Sequence, residues 1–264
     1  MDYFYWLLAI SASFALLERI RPARRVQRTL RPQLVNDLFY LIFNGHFYAV
    51  WFGGMIGWFA LWARDSLMGL HVLPESGLLA GRHFLIQFLV FLMVSDFLQW
   101  NVHRLLHRVP RLWEFHKLHH SIHEMDWAGN FRFHWVEVIV YRSLLYVPLI
   151  LLLGPDGDAP MAVAVFATAW GHFNHSNLTL NLGPLGWIFN SGPMHMWHHD
   201  ASDEGGVAKN FGIVLSLWDF LFGTVFWPRD RAPERLGYPG DGEMPRGLPR
   251  QLSFGLLGLF RRRG

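Results

Sequence analysis

Residues 38–62 (LFYLIFNGHFYAVWFGGMIGWFALW) form an apolar segment that is uncharged for 25 positions. A transmembrane helix needs about 20 predominantly apolar residues, because each residue advances about 1.5 Å through a hydrocarbon core of about 30 Å. The segment is therefore long enough for a tilted span. A run of this length without charge favours a membrane helix over the half-buried helices of a soluble protein.

Four further segments are apolar over 15 to 19 residues: 3–17, 84–100, 138–153 and 161–179. The first has neither a basic start nor a small-residue cleavage site, so we interpret it as a membrane anchor rather than a signal peptide. The helix-breaking sequence GPDGDAP separates the last two. The predicted fold is an all-α integral membrane protein with about four to five transmembrane or re-entrant helices. A soluble protein with buried core helices is the alternative, and it is disfavoured because three separate segments approach spanning length.

The composition restricts the chemistry available to the chain. Hydrophobic residues make up 52% of the sequence and charged residues only 16%, against about a quarter in typical soluble domains. The chain has no cysteine, which excludes disulfides, thiolate zinc sites and iron–sulfur clusters held by this chain.

Basic residues predict the orientation of the chain in the membrane. They concentrate in three stretches: Arg19, Arg21, Arg24, Arg25, Arg28 and Arg31; Arg104, Arg108, Arg111 and Lys117; and Arg261, Arg262 and Arg263. Cytoplasmic loops carry an excess of such residues. The rule puts the N-terminus outside, and the arginine loop, the histidine region and the C-terminus in the cytoplasm. A basic face beside anionic lipid requires no nucleic acid to explain it, and no nucleic-acid partner is predicted.

Twelve of the 15 histidines lie between residues 103 and 199. They include four patterned clusters, HRLLH, HKLHH, HFNH and HMWHH, which contain His103 and His107; His116, His119 and His120; His172 and His175; and His195, His198 and His199. The spacings i, i+3 and i+4 place side chains on one face of a helix. Each cluster is therefore expected to present two or three imidazole nitrogens together, all at the same cytoplasmic depth.

A metal centre is the simplest explanation of this crowding, because imidazoles packed together without metal leave buried donors and acceptors unpaired. Nine or ten nitrogen ligands exceed the four to six that one ion takes, so two ions are implied. Imidazole suits zinc, copper, iron and nickel. The H-E-x-x-H motif of zinc proteases is absent, and the clusters contain no carboxylate of the kind used by helix-bundle di-iron proteins. A histidine-rich di-iron site fits best, although ligand type alone also allows zinc or copper.

Together, the stretches HRLLH, HKLHHS, EMDWAGNFRFHWVE, WGHFNHSN, HMWHH and KNFG…WDFLFGT resemble the fatty acid hydroxylase/sterol desaturase superfamily of integral-membrane di-iron oxygenases. The resemblance runs from about Asp96 to Thr224. It implies a bundle of membrane helices with a cytosolic, histidine-rich helical cap. It also implies the use of O2, as co-substrate, to hydroxylate or desaturate a lipid C–H bond.

Carried over by position, the family's ligands to two non-haem iron ions fall on His103, His107, His116, His119, His120, His175, His195, His198 and His199. His172 is predicted as a tenth ligand, although members more often carry an aromatic or aliphatic residue there. The chain also departs from the family's pattern in having Asp200 after the last histidine pair, and Trp135 where a proline is usual. The predicted supporting residues around the ligands are His134, Asp96, Asp126 and Glu137. His123 falls outside the pattern.

Three regions are predicted: membrane helices at 1–83, a di-iron domain at 84–228 and a basic, amphipathic tail at 229–264. Residues 210–224 are predicted to form one amphipathic helix on the membrane. Electrons must come from an external donor, a ferredoxin or a cytochrome with its reductase, for which the basic inner face is a docking surface. Two alternatives remain open: a membrane-embedded zinc-dependent lipid hydrolase, and a metal-binding or transport protein without catalysis. The lipid substrate, the regiochemistry and the oligomeric state are not readable from the sequence.

Overall fold

The computed structural model describes residues 2–69, 78–153, 158–178, 180–202 and 209–256. These residues form helices, turns and three isolated β-bridges, and no β-strand. The fold is therefore all-α over the part of the chain that the structure describes. Part of the predicted GPDGDAP turn and the arginines at 261–263 lie outside the described residues.

The N-terminal half of the described chain contains five α-helices: α1 Tyr3–Ile20, α2 Leu34–Ile42, α3 Tyr48–Gly69, α4 Phe84–Arg108 and α5 Pro110–His120. The C-terminal half contains α6 Trp135–Leu153, α7 Asp158–His175, α8 Gly192–His198, α9 Leu217–Leu221 and α10 Leu248–Ser253. Short 3-10 helices lie at Trp127–Phe131, Gly183–Trp187 and Asp241–Glu243. Helix α4 packs on α5, α6 and α7, while α3 packs on α6 and α1 packs on α7.

Among the described residues, two helices, α1 and α4, are long and apolar enough to cross a membrane. They correspond to the predicted first and third spans. The predicted span at 38–62 is helical but not uniform, because the π-helical turn Phe43–Phe47 separates α2 from α3. Within this turn, Asn44 Nδ2 donates to the carbonyls of Phe131, at 3.0 Å, and Phe133, at 2.8 Å. The π-turn thus ties the helix to the segment before α6, and the predicted number of spans stays a prediction.

A proline reverses the chain between two of the histidine clusters. Pro110 begins α5, and Val109 before it is extended, with φ −92° and ψ 110°. A residue that precedes proline is disfavoured in helical geometry, whereas proline is well tolerated in the first turn of a helix. The apolar helix therefore ends at Arg108, and α5 packs back against α4. This reversal brings the second histidine cluster against the first.

A buried ion network fixes the N-terminal arginine loop to the segment before α6. Arg31 donates from Nε and Nη2 to Asp126, at 2.6 and 2.5 Å, and Nη2 also lies 2.6 Å from an oxygen of Asp37. Arg132 donates to both oxygens of Asp37. All four side chains are buried. Buried charges persist only when they are paired in this way, so these residues form a structural connection between α2 and the 3-10 helix Trp127–Phe131.

The prediction of one amphipathic helix over residues 210–224 is wrong. The structure has a helix only at Leu217–Leu221. The backbone N–H groups of Phe211 and Gly212 donate to Asp219, and those of Val214 and Leu215 donate to Asp96. Carboxylates thus accept the hydrogen bonds that a helix would satisfy internally, and the segment before α9 is a loop.

Candidate metal centre

The structure brings nine histidines together in two groups whose ligand atoms lie within 4.8 Å of one another in each group. The first group, site 1, is His103, His107, His116, His120 and His198. The second, site 2, is His119, His175, His195 and His199. Nine of the ten histidines predicted as ligands are therefore assembled, from helices α4, α5, α7 and α8 and the residue that follows α8.

Each H-x-x-H-H motif is divided between the two sites rather than forming one three-nitrogen claw. In α5, the outer histidines His116 and His120 belong to site 1 and His119 belongs to site 2. At α8 the division is reversed, since His198 belongs to site 1 and the outer histidines belong to site 2. The motif therefore serves two adjacent sites from one helix: positions i and i+4 face one of them, and position i+3 is rotated toward the other.

The nitrogens that face each other across the sites lack other partners. In site 1, Nε2 of His103, His116 and His198 and both nitrogens of His107 and His120 are buried without a hydrogen bond from the described residues. A buried polar atom without a partner costs about 1–3 kcal/mol, so a cluster of this size is strongly unfavourable by itself. Each neutral imidazole has one nitrogen lone pair, and a bond from it to a metal ion removes the cost for that nitrogen.

The spacing in site 2 fits the edges of a coordination shell. Nε2 of His175 lies 3.3 Å from Nε2 of His119 and 3.1 Å from Nε2 of His195, which lies 3.2 Å from Nε2 of His199. Imidazole nitrogens bonded to one ion at about 2.1 Å are separated by roughly 3.0–3.4 Å in octahedral or tetrahedral arrangements. The four nitrogens are thus spaced as ligands of a single ion.

Burial keeps these imidazoles neutral. Loss of solvation lowers the pKa of His198 to about 3, and it lowers the pKa values of His119, His120, His195 and His199 well below the usual value, with neighbouring histidines adding to the effect. A neutral imidazole has the free lone pair that a metal requires. These five ligands therefore need no deprotonation at neutral pH.

Backbone carbonyls orient three of the rings. Nδ1 of His103 donates to Phe211 O at 2.8 Å, Nδ1 of His198 donates to Lys209 O at 2.6 Å, and Nδ1 of His175 donates to Gly171 O at 2.8 Å. Such hydrogen bonds fix the tautomer and leave Nε2 free to bind metal. No sequence pattern indicates which backbone carbonyls accept these hydrogen bonds, because every residue has a backbone carbonyl.

Two buried carboxylates hold the loop that supplies the Lys209 and Phe211 carbonyls. Asp219 accepts from the N–H groups of Phe211 and Gly212 at 2.9 and 2.8 Å, and from the indole of Trp100 at 2.9 Å. Asp96 accepts from two amides of the same loop and from the indole of Trp218. Asp96, predicted as a supporting residue, thus contacts the loop and makes no hydrogen bond with a described histidine.

Glu137 is the predicted supporting residue that contacts a candidate ligand directly. Nδ1 of His116 donates to Glu137 Oε1 at 2.8 Å, and both side chains are buried. The bond directs Nε2 of His116 into site 1. Asp126, by contrast, pairs with Arg31 in the network described above.

Three other histidines lie outside both sites. His172 Nδ1 lies 3.0 Å from Thr168 O, and its Nε2 lies 3.0 Å from Ser11 Oγ, so each nitrogen has a partner. His134 Nε2 donates to Leu252 O at 2.9 Å and thereby anchors α10. His123 is exposed and pairs with Asp241 at 2.9 Å.

Aromatic side chains cover the sites on several sides. The Phe211 ring lies 5.3 Å from that of His107, the Trp113 ring lies 5.2 Å from that of His120, and Phe133 stacks on His119 at 4.7 Å between ring centres. Apolar walls exclude water and lower the local dielectric. The arrangement is suited to two adjacent metal ions in a dry, histidine-lined site.

Comparison with known proteins gives matches over the part of the chain that contains these sites. The protein-family model described as fatty acid hydroxylase matches residues 88–224. An ornithine lipid hydroxylase of Rhizobium tropici is 28% identical over 88% of this chain and 70% of its own length. The alkylglycerol monooxygenase of Homo sapiens is 30% identical over 54% of this chain, and a Delta(7)-sterol 5(6)-desaturase of Gibberella zeae is 27% identical over 61%.

The matched region is only part of the longer relatives. It spans 32% of the human monooxygenase and 42% of the sterol desaturase. No solved structure matches the chain.

Proposed function

Because this chain belongs to the fatty acid hydroxylase family, we propose that it is a membrane-bound oxidoreductase that uses O2 to hydroxylate a C–H bond of a lipid. The observation that carries the proposal is the pair of adjacent histidine sites, in which nine buried or half-buried imidazoles bring their candidate ligand nitrogens within 4.8 Å of one another in each site. Hydroxylation is preferred to desaturation because the ornithine lipid hydroxylase, which matches over 88% of this chain, is named as a hydroxylase. Desaturation of the lipid is the second candidate, favoured by the match to a sterol desaturase.

The proposed ligands are the five histidines of site 1, which would bind one iron ion, and the four histidines of site 2, which would bind a second. His172 is left out of this set because both its nitrogens are engaged elsewhere. When bound, the two ions would activate O2, which is the oxidant that cleaves the C–H bond; two electrons from the external donor would reduce the second oxygen atom to water. An all-histidine donor set suits iron, and the two groups formed by the described residues contain no carboxylate to act as the base that a zinc hydrolase uses.

The chain's own residues prepare the site for this reaction. Glu137 and the carbonyls of Lys209 and Phe211 hold three imidazoles in the tautomer that leaves Nε2 free. Phe211 and Trp113 pack against His107 and His120 and would limit the access of water to the metal sites. Asp96 and Asp219 act indirectly, because they fix the backbone of the loop whose carbonyls orient His103 and His198.

We further propose the membrane arrangement. Four to five helices cross or enter the bilayer, the N-terminus lies outside, and both histidine sites form a cap on the cytoplasmic side. The lipid substrate enters from the bilayer, and a ferredoxin or a cytochrome with its reductase delivers electrons at the basic inner face. The domain limits 1–83, 84–228 and 229–264 are part of the same proposal.

Lipid mass spectrometry with labelled oxygen tests the function. Cells that contain the protein are grown under ¹⁸O₂ and compared with cells that carry the His119→Ala variant. A hydroxylated lipid with one labelled oxygen atom, absent from the variant, is expected. A product that carries oxygen from water, or that forms equally without O2, would refute the oxygenase assignment and favour a hydrolase.

A further inference from the structure

A cavity of about 280 Å³ lies between α1 and α2, on the side of the arginine loop. Three arginines line it: Arg19, Arg25 and Arg28, here called the pocket arginines. All three are exposed. The cavity shares none of the nine histidines of the metal sites, and the mechanism proposed above does not use it.

The positive charge of this cavity has no counterpart within the described residues. The pocket arginines form no ion pair there. The two carboxylates in the cavity wall are engaged elsewhere, since Glu18 Oε1 accepts from the backbone N–H groups of Trp127 and Asn177 at 2.9 and 2.8 Å, and Asp126 is held by Arg31. The three guanidinium groups are therefore available to an anionic ligand, and their geometry matches phosphate oxygens well.

Apolar residues form one part of the wall, beside the polar Gln27, Thr29 and Asn177, and continue beyond it. Ala15, Leu34 and Leu38 line the cavity together with Leu30, whose surface is 82% exposed. Just outside it, Val26 is 95% exposed. Exposed aliphatic residues alternating with arginines are typical of a segment at a bilayer interface, where the arginines reach headgroups and the aliphatic side chains reach acyl chains.

We propose that this cavity binds the headgroup of an anionic membrane phospholipid, with its phosphate on the pocket arginines and its glycerol and first methylene groups against the leucines. The cavity is at the end of α1, which is long and apolar enough to cross a membrane, so a lipid reaches it without leaving the bilayer. A concave site of this size fits one headgroup rather than the convex surface of an electron-donor protein. The bound lipid fixes the arginine loop on the bilayer surface.

Thermal unfolding of the delipidated full-length protein in neutral detergent tests the proposal. The probes are dioleoylphosphatidylglycerol, dioleoylphosphatidylcholine and inorganic phosphate, each titrated separately. The variants are Arg19→Gln, Arg25→Gln and Arg28→Gln, singly and combined. Arg21→Gln is the matched control, because Arg21 is an exposed arginine of the same loop that does not line the cavity.

Phosphatidylglycerol should raise the unfolding temperature of the wild-type and Arg21→Gln proteins, since a ligand that binds only the folded state stabilises it. Each pocket substitution should raise the half-saturating lipid concentration roughly fivefold, and the triple variant should lose the shift. Phosphatidylcholine should give a smaller shift, because its ammonium group offsets the phosphate charge. Equal saturation of the triple variant and the wild type would overturn the proposal, and so would an equal shift with inorganic phosphate, which would assign the cavity to free phosphate.

Discussion

Replacement of Glu137 tests how the residues around the metal sites support the ligands. Glu137 Oε1 accepts the Nδ1 proton of His116 at 2.8 Å, and the two side chains are only 1% and 2% exposed. Glu137→Ala removes the acceptor and leaves a buried N–H without a partner, at a cost of about 1–3 kcal/mol. Metal affinity should fall by about 10–100-fold, because the ring loses its fixed tautomer and orientation.

The assay measures metal retained per chain after equilibration with a chelator of known affinity. Glu137→Gln is the conservative variant, since its amide oxygen still accepts from His116, and it should retain more metal than Glu137→Ala. Glu114→Ala is the control from the neighbouring helix. Glu114 pairs with Lys117 at the partly exposed surface of α5, and a surface pair of this kind contributes less than about 1 kcal/mol. Wild-type retention by Glu137→Ala, or an equal loss in Glu114→Ala, would refute the reasoning.

Three further predictions follow from the site. His175→Ala should lose an ion from site 2, whereas His172→Ala should keep both ions, as counted by elemental analysis; a loss of metal in His172→Ala alone would reverse the assignment. Asp219→Asn should lower the free energy of unfolding by about 1.5–3 kcal/mol, because an amide N–H then faces a backbone N–H in place of a charged acceptor; chemical denaturation at constant pH measures this, and an unchanged midpoint would contradict it. The metal-free protein should lose stability as the pH falls below about 6.5. Below this pH the unfolded chain binds protons on His198, whereas burial lowers the pKa of His198 in the folded chain to about 3 and keeps it neutral. Unfolding curves that coincide at pH 7.5 and pH 5.5 would exclude this loss of stability.

The histidine clusters were predictable from the sequence because helical spacing is a local property. The positions i, i+3 and i+4 in HKLHH and HMWHH determine that the rings lie on one side of a helix. The division of each motif between two sites was not predictable, because it depends on where α4 and α7 lie relative to α5. Pro110 is the local signal for that placement, since it ends the apolar helix and turns α5 back onto it.

The loop between Lys209 and Ser216 shows where sequence patterns failed. Its aromatic and aliphatic residues were interpreted as one face of a helix, but Asp96 and Asp219 accept its backbone N–H groups. One of these contacts joins Asp96 and Val214, which are 118 positions apart in the sequence. A pattern confined to a short window does not contain such a contact.

The most direct test of the account is the metal content of the purified protein, measured together with its activity in the presence and absence of O2. We expect two iron ions per chain and a lipid product that forms only with O2. We also expect His119→Ala and His198→Ala, one from each site, to lower the iron content and abolish the product. One or two zinc ions, with full activity in the absence of O2, would contradict it.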